Sequence, residues 1–383
     1  MVNLKPPRKM PTSVPSFCGH TAPLLDFDFN PMDDSIICSA SEDTTLKIWG
    51  IPEGGLKTNI TTPLVDLQGH QKKVQLCKFH PTASNMVLSA AADLTVKLWD
   101  IEKGYEITSC SDSPDVIQDI VWDHRGDTYC IASKDKCIRF IDGRTGTMAS
   151  KIDQAHDGSK SIKMVFLGAM DKLVSVGFTK QSKRHFKIWD PKNLSQPIDT
   201  VDMDQAAGVI MPFFDADTNM LFLGGRGDGN IRYFEIDETC KVFPLSEYRS
   251  SSSTKGLAMI PKRGLDVLGC ETARFMKLTT STVEPLSFLV PRKADGFQED
   301  LYPETFSGNP AHTADEWLGG SSKPPLLMSV DPSLASGNDA AAAPKKAFVA
   351  AKSPVVLAAE LEAANKRIEI LTARLMEAGL NTE

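Results

Sequence analysis

The chain repeats itself, and a repeat limits the available folds before any other feature does. One copy opens at Gly69-His70 and closes at Trp99-Asp100. Between them lie two apolar runs, Val74–Phe79 and Met86–Ala90, and the turn Ala92-Asp93-Leu94-Thr95. An earlier copy runs from Gly19-His20 to Trp49-Gly50, with the same distance from His to Trp. Short strands split by turn residues, in units of this length, predict a four-stranded propeller blade.

Each copy carries a His, a Ser, an Asp and a Trp at matching positions. They are His20, Ser39, Asp43 and Trp49 in the first, and His70, Ser89, Asp93 and Trp99 in the second. These sets resemble the hydrogen-bonded tetrad of tryptophan-aspartate (WD) repeat proteins. An Asp in the tight turn before the Trp strand can accept from backbone N–H groups and from His. A His between Asp and Ser leaves few polar groups unpaired beneath a buried sheet. The indole supplies apolar bulk and one N–H that needs a partner. The same residue types suit a catalytic triad. Two copies at one spacing are what a structural repeat produces, so the sets are read as structural. The chain is read as a non-enzyme.

Composition narrows the class. The 383 residues suffice for one large β-domain with extensions. A net charge of −7 argues against a nucleic-acid binder, which is usually basic. Cys18, Cys38, Cys77, Cys110, Cys130, Cys137, Cys240 and Cys270 show no CxxC spacing. They read as reduced thiols of a cytoplasmic protein. Met1–Phe17 has no apolar core of a signal peptide, and no run is long enough for a transmembrane segment. The His residues show no ligand spacing, so neither a metal nor a cofactor is expected.

Residues 1–16 read as an irregular N-terminus with a short strand near Ser13–Phe17, and residues 17–290 as the propeller. Six units follow, at about 17–66, 67–108, 109–153, 154–200, 201–250 and 251–290. Unit three keeps the turn Lys134-Asp135-Lys136 but has Ile141 in the Trp position. Unit four restores His156 and Trp189-Asp190, with a turn enlarged by the basic stretch Lys180–His185. Unit five has Gly227-Asp228-Gly229 as its turn and Phe234 in the Trp position. The glycines around Gly224–Asn230 lack the ending of a phosphate-binding loop and read as a blade turn. Unit six shows only strand runs, at Gly264–Gly269 and Arg274–Leu278.

The repeat stops near residue 290. Aromatic anchors in Phe297–Pro303 and Glu316–Gly320 predict an arm over 291–330, docked on the propeller. Residues 331–355, rich in Ala, Ser, Pro and Lys, read as a flexible linker. Over 356–380, Leu357, Leu361, Ile368, Leu371 and Leu375 follow a heptad seam, which predicts a coiled coil. About three heptads are marginal as an isolated helix, so self-association into an oligomer is expected.

This order of parts resembles the coronin family. The resemblance rests on Cys18–Pro23, Gly208–Asn219, Gly229–Ile236, Pro261–Leu265, Val290–Lys293, Phe297–Pro303 and Glu316–Gly320. It implies an actin-associated WD-repeat β-propeller with a docked extension and a C-terminal coiled coil. The family pattern is seven blades, opened by a basic segment and a poorly recognisable first blade. This chain is expected to lack both, with about six units visible. It is also expected to lack the strand that closes the last blade. In the family's oligomerisation motif Arg367-Ile368-Glu369-Ile370-Leu371 fits, but Thr372 stands where Glu is usual, so the resemblance does not assign a trimer.

The resemblance implies a non-enzymatic regulator of cytoskeleton organisation. Its partners would be filamentous actin and the branch-nucleating actin-related protein complex, and its location the cytoplasmic actin cytoskeleton. The alternative is a propeller scaffold for other proteins, for example in membrane traffic, with actin binding weakened. Lys180, Lys183, Arg184 and Lys187, with His185, form a candidate actin contact through salt-dependent steering. Lys5, Arg8 and Lys9 are candidates to replace part of the missing basic segment.

Overall fold

Five runs with the same order of strand and turn fold into five similar sheets. A computed structural model of the chain describes residues 14–292, 296–334 and 368. Blade one comprises Leu24–Phe29, Ile36–Ser41, Leu46–Gly50 and Val65–Leu67. Blade two comprises Val74–Phe79, Met86–Ala91, Val96–Asp100 and Tyr105–Cys110. Blades three, four and five are four-stranded as well, over Ile117–Ile152, Lys163–Asp204 and Ile210–Tyr248. Blade six has three strands, Gly256–Met259, Glu271–Leu278 and Val283–Leu289. In every sheet consecutive strands are antiparallel neighbours, so the described residues form an all-β propeller of six blades.

The second strand of a blade is apolar on both faces because it is covered on both. Met86–Ala91 and Ile36–Ser41 are buried at every position. The first strand alternates, as in Val74–Phe79, and turns its apolar side to the preceding blade. Five hydrophobic clusters result, each shared by two successive blades. No blade hides its apolar faces alone, which is why the repeat must stack.

Blade one differs at its first strand. Leu24, Phe27 and Phe29 pair with Ser41, Ser39 and Ile37, as Val74, Cys77 and Phe79 pair with Ala91, Ser89 and Val87. In blade two those residues are 0%, 0% and 6% exposed; in blade one they are 53%, 58% and 46% exposed. Near blade six, Arg263 donates to Pro31 O at 3.4 Å and lies 3.9 Å from Asp34.

Two local expectations need correction. Gly264–Gly269 is not a strand. Lys262–Gly264 is a single 3₁₀ turn after Pro261, and Asp266 O accepts the N–H groups of Gly269 and Glu271. The strand near Ser13–Phe17 reduces to one parallel bridge, Phe17 to Ile60. Cys18, at the irregular approach to blade one, is exposed; all eight thiols are free. Of the predicted heptad seam only Ile368, exposed and helical, is described. Leu357, Leu361, Leu371 and Leu375 lie outside the described residues, as do Lys5, Arg8 and Lys9. No helix among the described residues is long and apolar enough to cross a membrane.

Candidate interaction surface

The two complete tetrads are relays of hydrogen bonds. Trp49 Nε1–H donates to Ser39 Oγ at 2.8 Å, Ser39 Oγ meets His20 Nε2 at 2.8 Å, and His20 Nδ1 meets Asp43 at 2.8 Å. The corresponding distances in blade two are 2.8, 2.8 and 3.0 Å. The carboxylate fixes the rest: it can only accept, so the His proton sits on Nδ1, and Nε2 accepts from Ser Oγ, which itself accepts from the indole. Asp43 also accepts the N–H groups of Thr21 and Thr45, and Asp93 those of Gln71 and Thr95.

Burial pushes the Asp43 carboxyl upward. Hydrogen bonds from the Thr45 hydroxyl, the Thr21 N–H and His20 outweigh it and hold the group well below its ordinary range. Glycine precedes each His because the indole lies against its Cα. A Cβ on Gly19 would stand 2.6 Å from the Trp49 ring, and one on Gly69 3.0 Å from Trp99. Both serine hydroxyls are committed on both sides beneath the sheet, so neither is presented as a nucleophile.

Blades three and four replace the relay. In blade three, Ile131 occupies the register of Ser89, opposite Arg139. Arg139 ion-pairs with Asp135 and donates to Ser133 Oγ at 2.8 Å, so a guanidinium meets the turn carboxylate that His meets elsewhere. In blade four, His156 Nε2 meets Ser175 Oγ at 2.7 Å, and Trp189 Nε1–H donates to the same oxygen at 2.8 Å. His156 Nδ1 meets His185 Nε2 at 2.5 Å where Asp stands in blades one and two, and the two rings stack with centroids 4.7 Å apart. Burial pushes both imidazoles below the ordinary range, and His185 adds to the shift of His156.

The basic stretch is only partly a loop. Lys180 and Lys183 are exposed on the turn Thr179–Lys183. Arg184 begins the next strand and is buried between blades four and five. Its guanidinium pairs with Asp204 and Asp228, each at 2.5 Å, and Arg232 also binds Asp204 at 2.6 Å. Lys187 is half-buried, donates to Ala155 O at 2.8 Å, and lies 5.5 Å from the Trp189 ring. His185 is buried as well. Arg184, His185 and Lys187 thus meet internal partners, because both faces of this strand are covered, and of the candidate contact only Lys180 and Lys183 are exposed.

The arm docks on blades two and three. Helix Ala314–Leu318 starts at a capping box: Thr313 Oγ1 accepts from Glu316 N–H, and the Glu316 carboxylate accepts from Thr313 N–H. The helix seats Trp317, fully buried, against His80 and Trp122, with ring centroids 5.0 and 6.3 Å away. His80 Nε2–H donates to Gly126 O at 2.9 Å, and Nδ1 accepts from the N–H groups of Ala83 and Thr82. Burial lowers His80 to about 3, against the opposing Gly126 bond. A second anchor lies on blade six, where Tyr302 donates to Glu271 O at 3.1 Å. Sequence reasoning found Trp317 but missed His80 and Arg144, whose Nε–H donates to Trp317 O at 2.8 Å. A His and an Arg far apart in sequence carry no signal until the fold brings them together.

A family model described as WD domain, G-beta repeat, matches residues 11–50 and 61–100. One described as a type of WD40 repeat matches residues 283–325. The chain is 46% identical over 320 residues to Coronin-A of Dictyostelium discoideum, covering 83% of this chain and 71% of that protein. It is similar to the crystal structure of the WD40 domain of Toxoplasma gondii coronin. There the TM-score is 0.79 and the identity 32%, over 82% of each chain. A chain in the crystal structure of the Mitotic Checkpoint Complex is similar in fold alone. Its TM-score is 0.55 at 12% identity, over 70% of this chain and 75% of that one.

Proposed function

The chain belongs to the coronin family, and we propose that it is a non-enzymatic regulator that binds actin filaments in the cytoplasm. The observation that carries this reading is the 46% identity to Coronin-A over 320 residues. In this reading, residues 17–290 form the filament-binding propeller and 291–330 the docked arm. Residues 331–355 form the linker, and 356–380 a coiled coil that self-associates. Linking copies multiplies weak contacts through effective concentration. The branch-nucleating actin-related protein complex is a further partner of the same reading.

Lys180 and Lys183 remain as the candidate loop contact with acidic actin surfaces. Two exposed cations give a weak, salt-sensitive contribution. A second reading, a propeller scaffold for other proteins, draws support from the internal use of Arg184 and Lys187.

Cosedimentation of the full chain with filaments, at low and moderate salt, tests the first reading. Pelleting that weakens with salt is expected. Folded protein that stays in the supernatant at every salt concentration overturns it.

A further inference from the structure

A cleft of about 500 Å³ opens between blades five and six, apart from the tetrads, the arm helix and the lysine turn. Its wall is aromatic. Phe222, Tyr233 and Phe288 stand 5.4–5.8 Å from one another, centroid to centroid. The Tyr233 hydroxyl makes no hydrogen bond among the described residues. Leu289 stands at the mouth, 62% exposed.

The rim is acidic. Asp215, Asp217, Glu235 and Asp300 line the cleft, with Asp215 paired to Lys262 at 2.6 Å, and no Lys, Arg or His among the described residues lines it. Asp300 pairs with Arg292. Glu235 is exposed and has no ion pair among the described residues. Burial first, and the neighbouring Asp215 second, raise the Asp217 carboxyl to about 6.

We propose that this cleft binds a linear basic peptide of a partner protein, with a Lys or Arg at the acidic rim and an apolar side chain on the aromatic wall. Carboxylates and ring faces both attract a cation, and the attraction grows as the cation loses water in the cleft. The volume lies in the range of ligand sites and is too small for a folded element. The rim repels anionic ligands and nucleic acid. The surface is distinct from the lysine turn, whose sign suits an acidic partner.

The test is fluorescence anisotropy of the full chain with fluorescein-labelled GKFKLKG, with GEFELEG as control. Binding of the basic peptide only is expected. Glu235→Lys and Leu289→Ser, both at exposed positions, should each weaken it tenfold or more while leaving the melting temperature unchanged. Equal binding of both peptides overturns the proposal. So does binding of GKFKLKG that neither variant alters, or no binding at all. If the variants instead reduce self-association and leave peptide binding intact, a second copy fills the cleft and the proposal falls.

Discussion

The guanidinium carbon of Arg144 lies 4.6 Å from the centre of the Trp317 ring. From there Arg144 donates to Trp317 O at 2.8 Å and to Ser321 O at 2.7 Å, and pairs with Asp127 at 2.8 Å. One residue of blade three therefore holds both the ring and the backbone of the arm. Trp317→Ala should cost about 3–5 kcal/mol, since it empties a fully buried site. Arg144→Ala should cost about 1–3 kcal/mol by leaving arm carbonyls without a donor. Denaturant melts measure both losses. Limited proteolysis should cut both variants first between residues 303 and 325.

The pH dependence of stability should carry a mark of His80. Its folded value of about 3 lies below the ordinary 6.5. Below pH 6.5 the unfolded chain takes up a proton that the folded chain refuses, until the pH nears 3. The stabilisation is therefore whole above 6.5 and is lost on acidification across that window. The slope approaches about 1.4 kcal/mol per pH unit. Asp123 and Asp217, both raised to about 6, act in the opposite sense below that value. Comparison with His80→Gln isolates the histidine. The parent should lose more stability than the variant between roughly pH 6.5 and 4.

The tetrads should behave as structural units. His70→Ala leaves Asp93 and Ser89 short of a partner each and should cost about 1–3 kcal/mol. Asp93→Ala should cost a similar amount. In a double-mutant cycle the two losses should fall short of additivity, because the pair shares one relay. Thermal melts of the four proteins supply the coupling energy.

Cations of the basic stretch should separate into two kinds. Arg184→Ala leaves Asp204 and Asp228 without their shared partner and should cost about 2 kcal/mol or more. Lys180→Glu with Lys183→Glu should change stability by less than about 0.5 kcal/mol, as exposed substitutions do. The same double variant should pellet less with filaments at low salt and lose that difference at high salt.

The blades were legible in the sequence because their constraints are local. In blades one and two Gly precedes the His where the indole rests, and Asp sits in the tight turn, so both recur at fixed distances. The slots of Ile141 and Phe234 followed from register alone: each faces the same second-strand position as Trp99 does. What escaped was the direction of side chains and the meeting of distant residues. Arg184 looked like a loop cation because its turn is basic. It points inward because the strand begins at Arg184, two residues earlier than the basic stretch Lys180–His185 suggests. The pairing of His80 with Trp317 joins blade two to the arm, that of Arg184 with Asp228 joins blades four and five, and no short-range pattern encodes either.

Electron cryo-microscopy of actin filaments mixed with the full chain at low salt tests the central claim most directly. The account predicts filaments decorated along their sides by disc-shaped density of one propeller per contact. Bare filaments at saturating concentrations of folded protein would contradict it.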